Sequence, residues 1–302
     1  MPSKTLLLGN EIKKNFFCFA FHSLIRIFAR KIVNMNSENI ITSAQNPKVK
    51  RLLMLQQKSA ERRRTGFFIV EGHREIERCL QAGFEVTTLF CTPAAAPTLP
   101  QGSYERFLVS PEVYERMAYR GSTEGVIAEV RTRQWQLADL PLSDNPLIIV
   151  LESVEKPGNL GAILRSADAA GADAVVVCDP LTDLYNPNVV RASTGAVFSM
   201  PMVACTSEEC IDFLKARGIA ILTAQLQDSS LYYDTDMCRA TAIVMGTEAT
   251  GLTDQWRKAA TAHIRIPMLG ITDSLNVSVS AAILLYEAVR QRRGAQRTSP
   301  KE

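Results

Sequence analysis

The sequence predicts an α/β protein in two parts, the second built on a parallel sheet covered on both faces. Two observations carry this. From residue 46 onward, segments of strand character alternate with helical ones. In the back half the strand segments are unbroken runs of Val, Ile and Leu, as expected for strands buried on both sides. A length of 302 residues accommodates two domains. With 46% hydrophobic and 22% charged residues, the composition excludes wholesale disorder and fibrous architectures.

The elements follow in order. Residues 1–38 form an extension whose stretch FFCFAFHSLIRIFARKIV is broken by Arg26 and Arg30, well short of the ~20 apolar residues of a membrane span. It lacks a small-residue cleavage site. It reads as a mis-called start or a disordered segment ahead of Met35, with a basic amphipathic surface helix as the alternative. Asn46 then caps a helix opened by Pro47, with Val49, Leu52, Leu53 and Leu55 as its apolar stripe. GFFIVEG is a strand, residues 72–82 a helix stopped by Gly83, and VTTLFC a strand. Ser110–Pro111 opens a helix, and GVIAEV closes this first α/β domain, spanning 39–132. Residues 133–146, with Pro141 and Pro146, read as a linker. The second domain, 147–292, begins with the strand LIIVLESV. A helix over 159–170, the strand AVVVC, a helix begun by Asn186–Pro187 and the strand IAILTA follow. AIVM, a short helix near Thr253–Ala260, HIRIP and a long helix from about Leu275 to Arg292 complete it, and 293–302 is a polar tail.

Charge and cysteine usage narrow the function. The net charge of +3 hides an asymmetry: residues 1–34 carry +5, residues 35–135 carry +3 and residues 136–302 carry −5. A basic front half suits a polyanionic partner, and Arg62, Arg63 and Arg64 sit at a helix end where phosphates could be met. The seven cysteines are scattered, with no CxxC pair, and the three histidines lie far apart. Neither a disulfide framework nor a zinc ribbon is expected, no metal is called for, and a reducing, cytoplasmic setting fits.

Three segments of the second domain carry unusual polar content. In KPGNLGAILRSADAAGA, Asn159 is placed to cap the helix, Leu160, Ile163, Leu164 and Ala167 form the buried stripe, and Arg165 falls off it. In AIVMGTEATGL a buried strand runs into a loop with Gly246, Thr247, Glu248 and Gly251. In HIRIPMLGITDSLNVSVSAAILLYEAVRQR a strand ends at Pro267 and Ser274, Leu275 and Asn276 lead into a helix rich in small residues. Each reads equally as ordinary capping, turn-making or solvated polarity; together, three loops at strand ends would converge on one pocket. GxxxxGK[ST], GxGxxG, GxSxG and HExxH are all absent, which leaves phosphate-loop, ordinary dinucleotide, serine-hydrolase and zinc-peptidase chemistry unsupported.

Taken in register, NLGAILR, MGTEATGL and IPMLGITDSLNVSVSAAILLYEA resemble the three motifs of the SpoU/TrmH family in the SPOUT superfamily, S-adenosylmethionine-dependent RNA ribose 2′-O-methyltransferases. QNPKVKRLLML through FFIVEG is similar to the family's small, ribosomal-protein-like substrate-binding domain. The resemblance implies a C-terminal SPOUT domain with a trefoil knot. It implies Asn159, Arg165, Glu248, Ser274 and Asn276 as catalytic positions, Gly246, Ile266, Met268 and Leu275 around the donor, and Arg191 near the RNA phosphate. It implies a homodimer paired through the terminal helix, with ribosomal RNA favoured over transfer RNA. A non-catalytic RNA-binding or ribosome-assembly factor on the same fold is the alternative, disfavoured by the presence of Asn159, Arg165 and Glu248. Since an arginine titrates above about 12, Arg165 is expected to stabilise oxyanion character at the ribose hydroxyl rather than abstract its proton.

Overall fold

The computed structural model of the chain describes residues 40–119, 124–247 and 250–298. The expectations for the extension, and the placement of Glu248, lie outside the described residues.

The amino-terminal unit opens with β1 (Ile40–Ile41), then α1 (Pro47–Gln57), where the Asn46 side chain accepts from the Lys48 amide. The basic run lies on a separate short helix, α2 (Ser59–Thr65), because Lys58 turns to extended backbone and Gly66 ends the helix at a φ of 72°. Next come β2 (Phe67–Glu71), α3 (His73–Gln81), β3 (Val86–Cys91), β4 (Glu105–Val109), α4 (Pro111–Met117) and β5 (Val126–Arg131). The sheet order is β1-β4-β3-β5-β2, with β5 antiparallel to both neighbours. Neither β1 nor β4 is apparent as a strand in the sequence: β1 is two residues long, and ERFLV shows no clean alternation.

The second unit is a seven-stranded, all-parallel sheet in the order β10-β12-β9-β11-β6-β7-β8. Its elements are β6 (Leu147–Glu152), α5 (Pro157–Ala170), β7 (Ala174–Cys178), α6 (Pro187–Ser193), α7 (Ala196–Ser199), β8 (Met202–Cys205), α8 (Ser207–Ala216), β9 (Ala220–Ala224), β10 (Ser230–Leu231), β11 (Thr241–Met245), α9 (Asp254–Ala259), β12 (Ala262–Arg265) and α10 (Val277–Thr298). All five residues of β7 and of β11 are buried, as the Val/Ile runs require. Two sequence expectations are corrected. Asn159 lies in the first turn of α5 rather than at its cap, which is Lys156. The last helix continues to Thr298; near its middle the Arg292 guanidinium donates to the carbonyls of Met237, Asn145, Pro146 and Arg239, tying it to the foot of the sheet.

The two units share one core. Phe68 and Phe84 of the first pack against Tyr185 and Phe198 of the second, the Phe68 and Tyr185 rings lying 4.4 Å apart. The Tyr185 hydroxyl donates to the Arg133 carbonyl and accepts from its amide, and burial pushes this phenol up to about 12. The linker takes part as well: Leu140 is buried, with Trp135 and Leu142 packed on the second unit's outer core.

Candidate active site

Parallel sheets gather ligands at the carboxyl ends of their strands, and a mainly apolar cavity lies there. It measures about 570 Å³ and is bounded by the ends of β9, β11 and β12 and by the segment leading into α10. Gly246, Ile266, Met268, Leu275, Ser274 and Asn276 all line it. Gly246 is required by close approach: a Cβ there would meet the Gly251 carbonyl carbon at 2.3 Å and the Leu252 amide at 2.5 Å, so the strand end and the loop backbone press together along the cavity wall. A cleft of this size, apolar with a few fixed polar groups, suits a cofactor-sized ligand.

Asn159 faces a smaller adjoining cavity that shares Gly246, Thr247 and Val277 with the large one. Its Oδ1 accepts from Asn276 Nδ2 at 3.2 Å. Asn276 in turn opens α10, its Oδ1 accepting from the Ser278 amide and hydroxyl. The starts of α5 and α10 are thereby joined at the cavity mouth by two side chains 117 residues apart in sequence. Ser274 is exposed and donates to Asp273. Buried Glu152, at the end of β6, accepts from the Thr253 amide and hydroxyl and so fixes the far end of the glycine loop.

Arg165 lines neither cavity. It lies six residues beyond Asn159 on α5, about 9 Å along the axis, and borders a separate open cleft of about 730 Å³ with Arg74, Arg78, Arg133 and the Ser193–Ala196 turn. Arg78 donates to the Thr194 carbonyl there. Sequence reading missed Arg74, Arg78 and Arg133, which lie far from the three motifs; only the basic balance of the front half hinted at them. Arg191 borders yet another cleft, facing Glu71, Glu75 and Glu124.

The basic run divides. Arg63 is exposed, and Arg64 is exposed with a partner in Glu61 at 2.6 Å. Arg62 is corrected as an RNA-contacting residue: it is 3% exposed, pairs with Asp183 of the second unit at 2.5 Å and donates to the Leu55 and Gln56 carbonyls. With its guanidinium enclosed and these acceptors engaged, it holds the two units together and presents no charge to a ligand.

Comparison with known proteins places this architecture. Residues 146–286 match the SpoU rRNA Methylase family, and residues 46–128 the MRM3-like substrate binding domain. The 23S rRNA (uridine(2479)-2'-O)-methyltransferase of Streptomyces viridochromogenes is 32% identical over 255 residues, covering 80% of this chain and 88% of that one. The chain belongs to the SpoU family. Among solved structures, an RNA 2'-O ribose methyltransferase is 40% identical with a TM-score of 0.73, covering 84% of this chain and 99% of the other. The SpoU methyltransferase AviRb from Streptomyces viridochromogenes in complex with the cofactor AdoMet is 30% identical with a TM-score of 0.76, covering 82% and 99%. No helix of this SpoU protein, among the described residues, is long and apolar enough to cross a membrane.

Proposed function

We propose that this chain is an S-adenosylmethionine-dependent methyltransferase acting on a ribose 2′-hydroxyl of large-subunit ribosomal RNA. The observation that carries the reading is the glycine-walled cavity at the strand ends, closed at its mouth by the Asn159–Asn276 hydrogen bond, in a member of the SpoU family. Gly246, Ile266, Met268 and Leu275 would hold the donor, whose ring and chain find an apolar wall and whose polar edges find the backbone that Gly246 leaves open. When bound, the donor supplies an electrophilic methyl group. No metal is needed for that transfer.

The protein's residues position the acceptor. Asn159 and Asn276 keep the entrances of α5 and α10 in register, and Ser274 offers an exposed hydroxyl beside the mouth. Arg165, with Arg74 and Arg78 on the facing unit, would hold the phosphate next to the reacting ribose and favour oxyanion character at its hydroxyl. Glu248 would order the glycine loop. Arg63, Arg64 and Arg191 would meet RNA phosphates farther out. We read 39–132 as the RNA substrate-binding domain and 147–292 as the SPOUT domain. The return of the chain from β12 across β9 and β11 to pack α10 on α5 supports the knotted course expected of the family.

The single chain leaves Arg165 apart from the donor cavity, which favours a homodimer. On the terminal helix, Leu284 and Leu285 are buried within the chain. A second stripe on α10, Val279, Ala282, Ile283 and Tyr286, is left exposed or half-covered. Tyr286 donates to Ala169, which borders the Arg165 cleft, so a partner seated on this stripe would stand beside Arg165.

Two experiments test the reading. Titration calorimetry of the full chain should give one S-adenosylmethionine per chain, displaced by S-adenosylhomocysteine; a folded sample that gives no heat and no displacement overturns it. Mapping 2′-O-methyl marks in total RNA with and without the gene should reveal one lost ribosomal site. A lost transfer-RNA site would instead move the substrate.

A further inference from the structure

Three cysteines outside both clefts are brought together at one edge of the parallel sheet. Cys178 ends β7, Cys205 ends the edge strand β8, and Cys210 sits in the first turn of α8, the helix that covers this edge. Cys178 and Cys205 are register partners in the β7–β8 ladder, so their side chains lie on the same face. Their Sγ atoms are 4.0 Å apart, and all three sulfurs lie within 4.8 Å of one another. Cys178 and Cys210 are completely buried, while Cys205 is half-buried. Nothing in the methyl-transfer reading uses them.

The spacing matches a thiolate ligand set. With Zn–S bonds of about 2.3 Å, sulfurs around one ion stand roughly 3.8–4.0 Å apart. The Cys178–Cys205 pair is already there, and a small rotation of the third side chain closes the set. A disulfide would instead need its sulfurs at about 2.05 Å, drawing Cys178 and Cys205 together by about half their separation across strands held in register. Among the described residues no fourth His, Cys or carboxylate joins the group; the neighbouring Asp179 carboxylate is engaged by the Ser207 amide and hydroxyl. Water entering past Cys205 would fill the fourth position. Three thiolates and a divalent ion leave one negative charge, which the amino-terminal end of the ten-residue α8 offsets. A monovalent ion would leave two in the same apolar surroundings, which disfavours it.

We propose that Cys178, Cys205 and Cys210 form a three-thiolate Zn(II) site, open to one water, that ties the edge strand β8 to its neighbour and to its covering helix. On binding, three S–H bonds are exchanged for three Zn–S bonds, the three protons pass to solvent, one water stays on the ion, and no electron moves. An edge strand is where a parallel sheet frays first, and this staple joins three elements there through one ion.

The test uses the full chain, reduced and stripped of metal, titrated with zinc alone against a chromophoric chelator. The expected result is one zinc per chain and a higher thermal midpoint in its presence. Cys205→Ser, at the half-exposed position, should weaken binding by at least about tenfold and cancel the metal-dependent rise, leaving the metal-free midpoint near wild type. Cys238→Ser, outside the cluster, should change neither. Absence of a bound zinc in the folded wild type overturns the proposal, as does full binding by Cys205→Ser; the three thiols would then be close-packed core residues only. If Cys178→Ser or Cys210→Ser fails to fold, the Cys205→Ser measurement still decides.

Discussion

Arg62→Ala is the most informative perturbation of the fold, because the sequence suggests an RNA contact and the structure a latch. The guanidinium is 3% exposed and Asp183 is 9% exposed in their side chains. Removing one member of a buried pair leaves the other charge uncompensated, at a cost of about 3–5 kcal/mol. Arg62→Ala also orphans the Leu55 and Gln56 carbonyls, which places it at the upper end of that range. Asp183→Ala leaves Arg62 its two carbonyls, so it should cost less, and the double variant should cost less than the sum of the singles. At roughly 2–4 °C per kcal/mol for a chain of this size, the Arg62→Ala midpoint should fall by roughly 6–20 °C. Thermal unfolding followed by circular dichroism reads the midpoint, and RNA binding against salt, measured well below it, reads the charge. Each phosphate contact contributes about 0.7–0.9 to the salt slope; Arg63→Gln should remove a share of this, and Arg62→Gln none. A midpoint within about 2 °C of wild type, less than 1 kcal/mol, together with a flattened slope, would refute the latch.

Other consequences follow from single contacts. Arg165→Ala should abolish methyl transfer while leaving S-adenosylmethionine affinity nearly unchanged, since Arg165 borders a cleft distinct from the donor cavity; calorimetry and a methyl-transfer assay on the same preparation separate the two, and parallel losses would place Arg165 on the wrong ligand. Gly246→Ala should weaken donor binding sharply, because the new Cβ must push the Gly251 backbone from 2.3 Å; unaltered affinity would mean that this wall does not shape the cavity. Glu287, 8% exposed, is held below the ordinary carboxylate value of 4.5 by hydrogen bonds from Arg290 and, secondarily, from Gln291. Its stabilisation is therefore complete above 4.5 and is lost as pH falls through the lower folded value. Glu287→Gln should narrow the gap between thermal midpoints at neutral and acidic pH, and an unchanged gap would count against the assignment.

What was legible in the sequence follows from the range of the forces involved. The buried strands β6, β7 and β11 could be read because burial on both faces demands unbroken apolar runs, and α1, α4 and α6 because Asn46, Ser110 and Asn186 announce them with a following proline. The edge strand β8 and its helix α8 were missed. MVAC is too short to show a period, although Thr206 and Glu209 form a capping box that does mark the start of α8. The motif residues around the donor cavity are close in sequence to the strand ends that place them. By contrast, the burial of Arg62 depends on Asp183, 121 positions away, and the meeting of Cys178 with Cys205 depends on strand register. No local pattern encodes either one.

The same long-range contacts shape the cleft beside Arg165. The Arg165 cleft is composite: Arg74 and Arg78 come from α3 of the first unit, Arg133 from the connection, and Arg165 and the Ser193–Ala196 turn from the second. Three arginines meet Arg165 there beside the Asp168 carboxylate, while the units are joined elsewhere by the Arg62–Asp183 pair and by Phe68 and Phe84 against Tyr185 and Phe198. Gly195 shows how close the approach is, since a Cβ there would meet the Arg78 side chain at 2.6 Å. On the function proposed, this joint would keep the arginines assembled ahead of an RNA phosphate, so that the ordering cost is met during folding. Loosening the joint, as Arg62→Ala would, should lower RNA affinity without altering any residue that touches RNA. It should leave donor affinity alone, because the donor cavity is built entirely within the second unit.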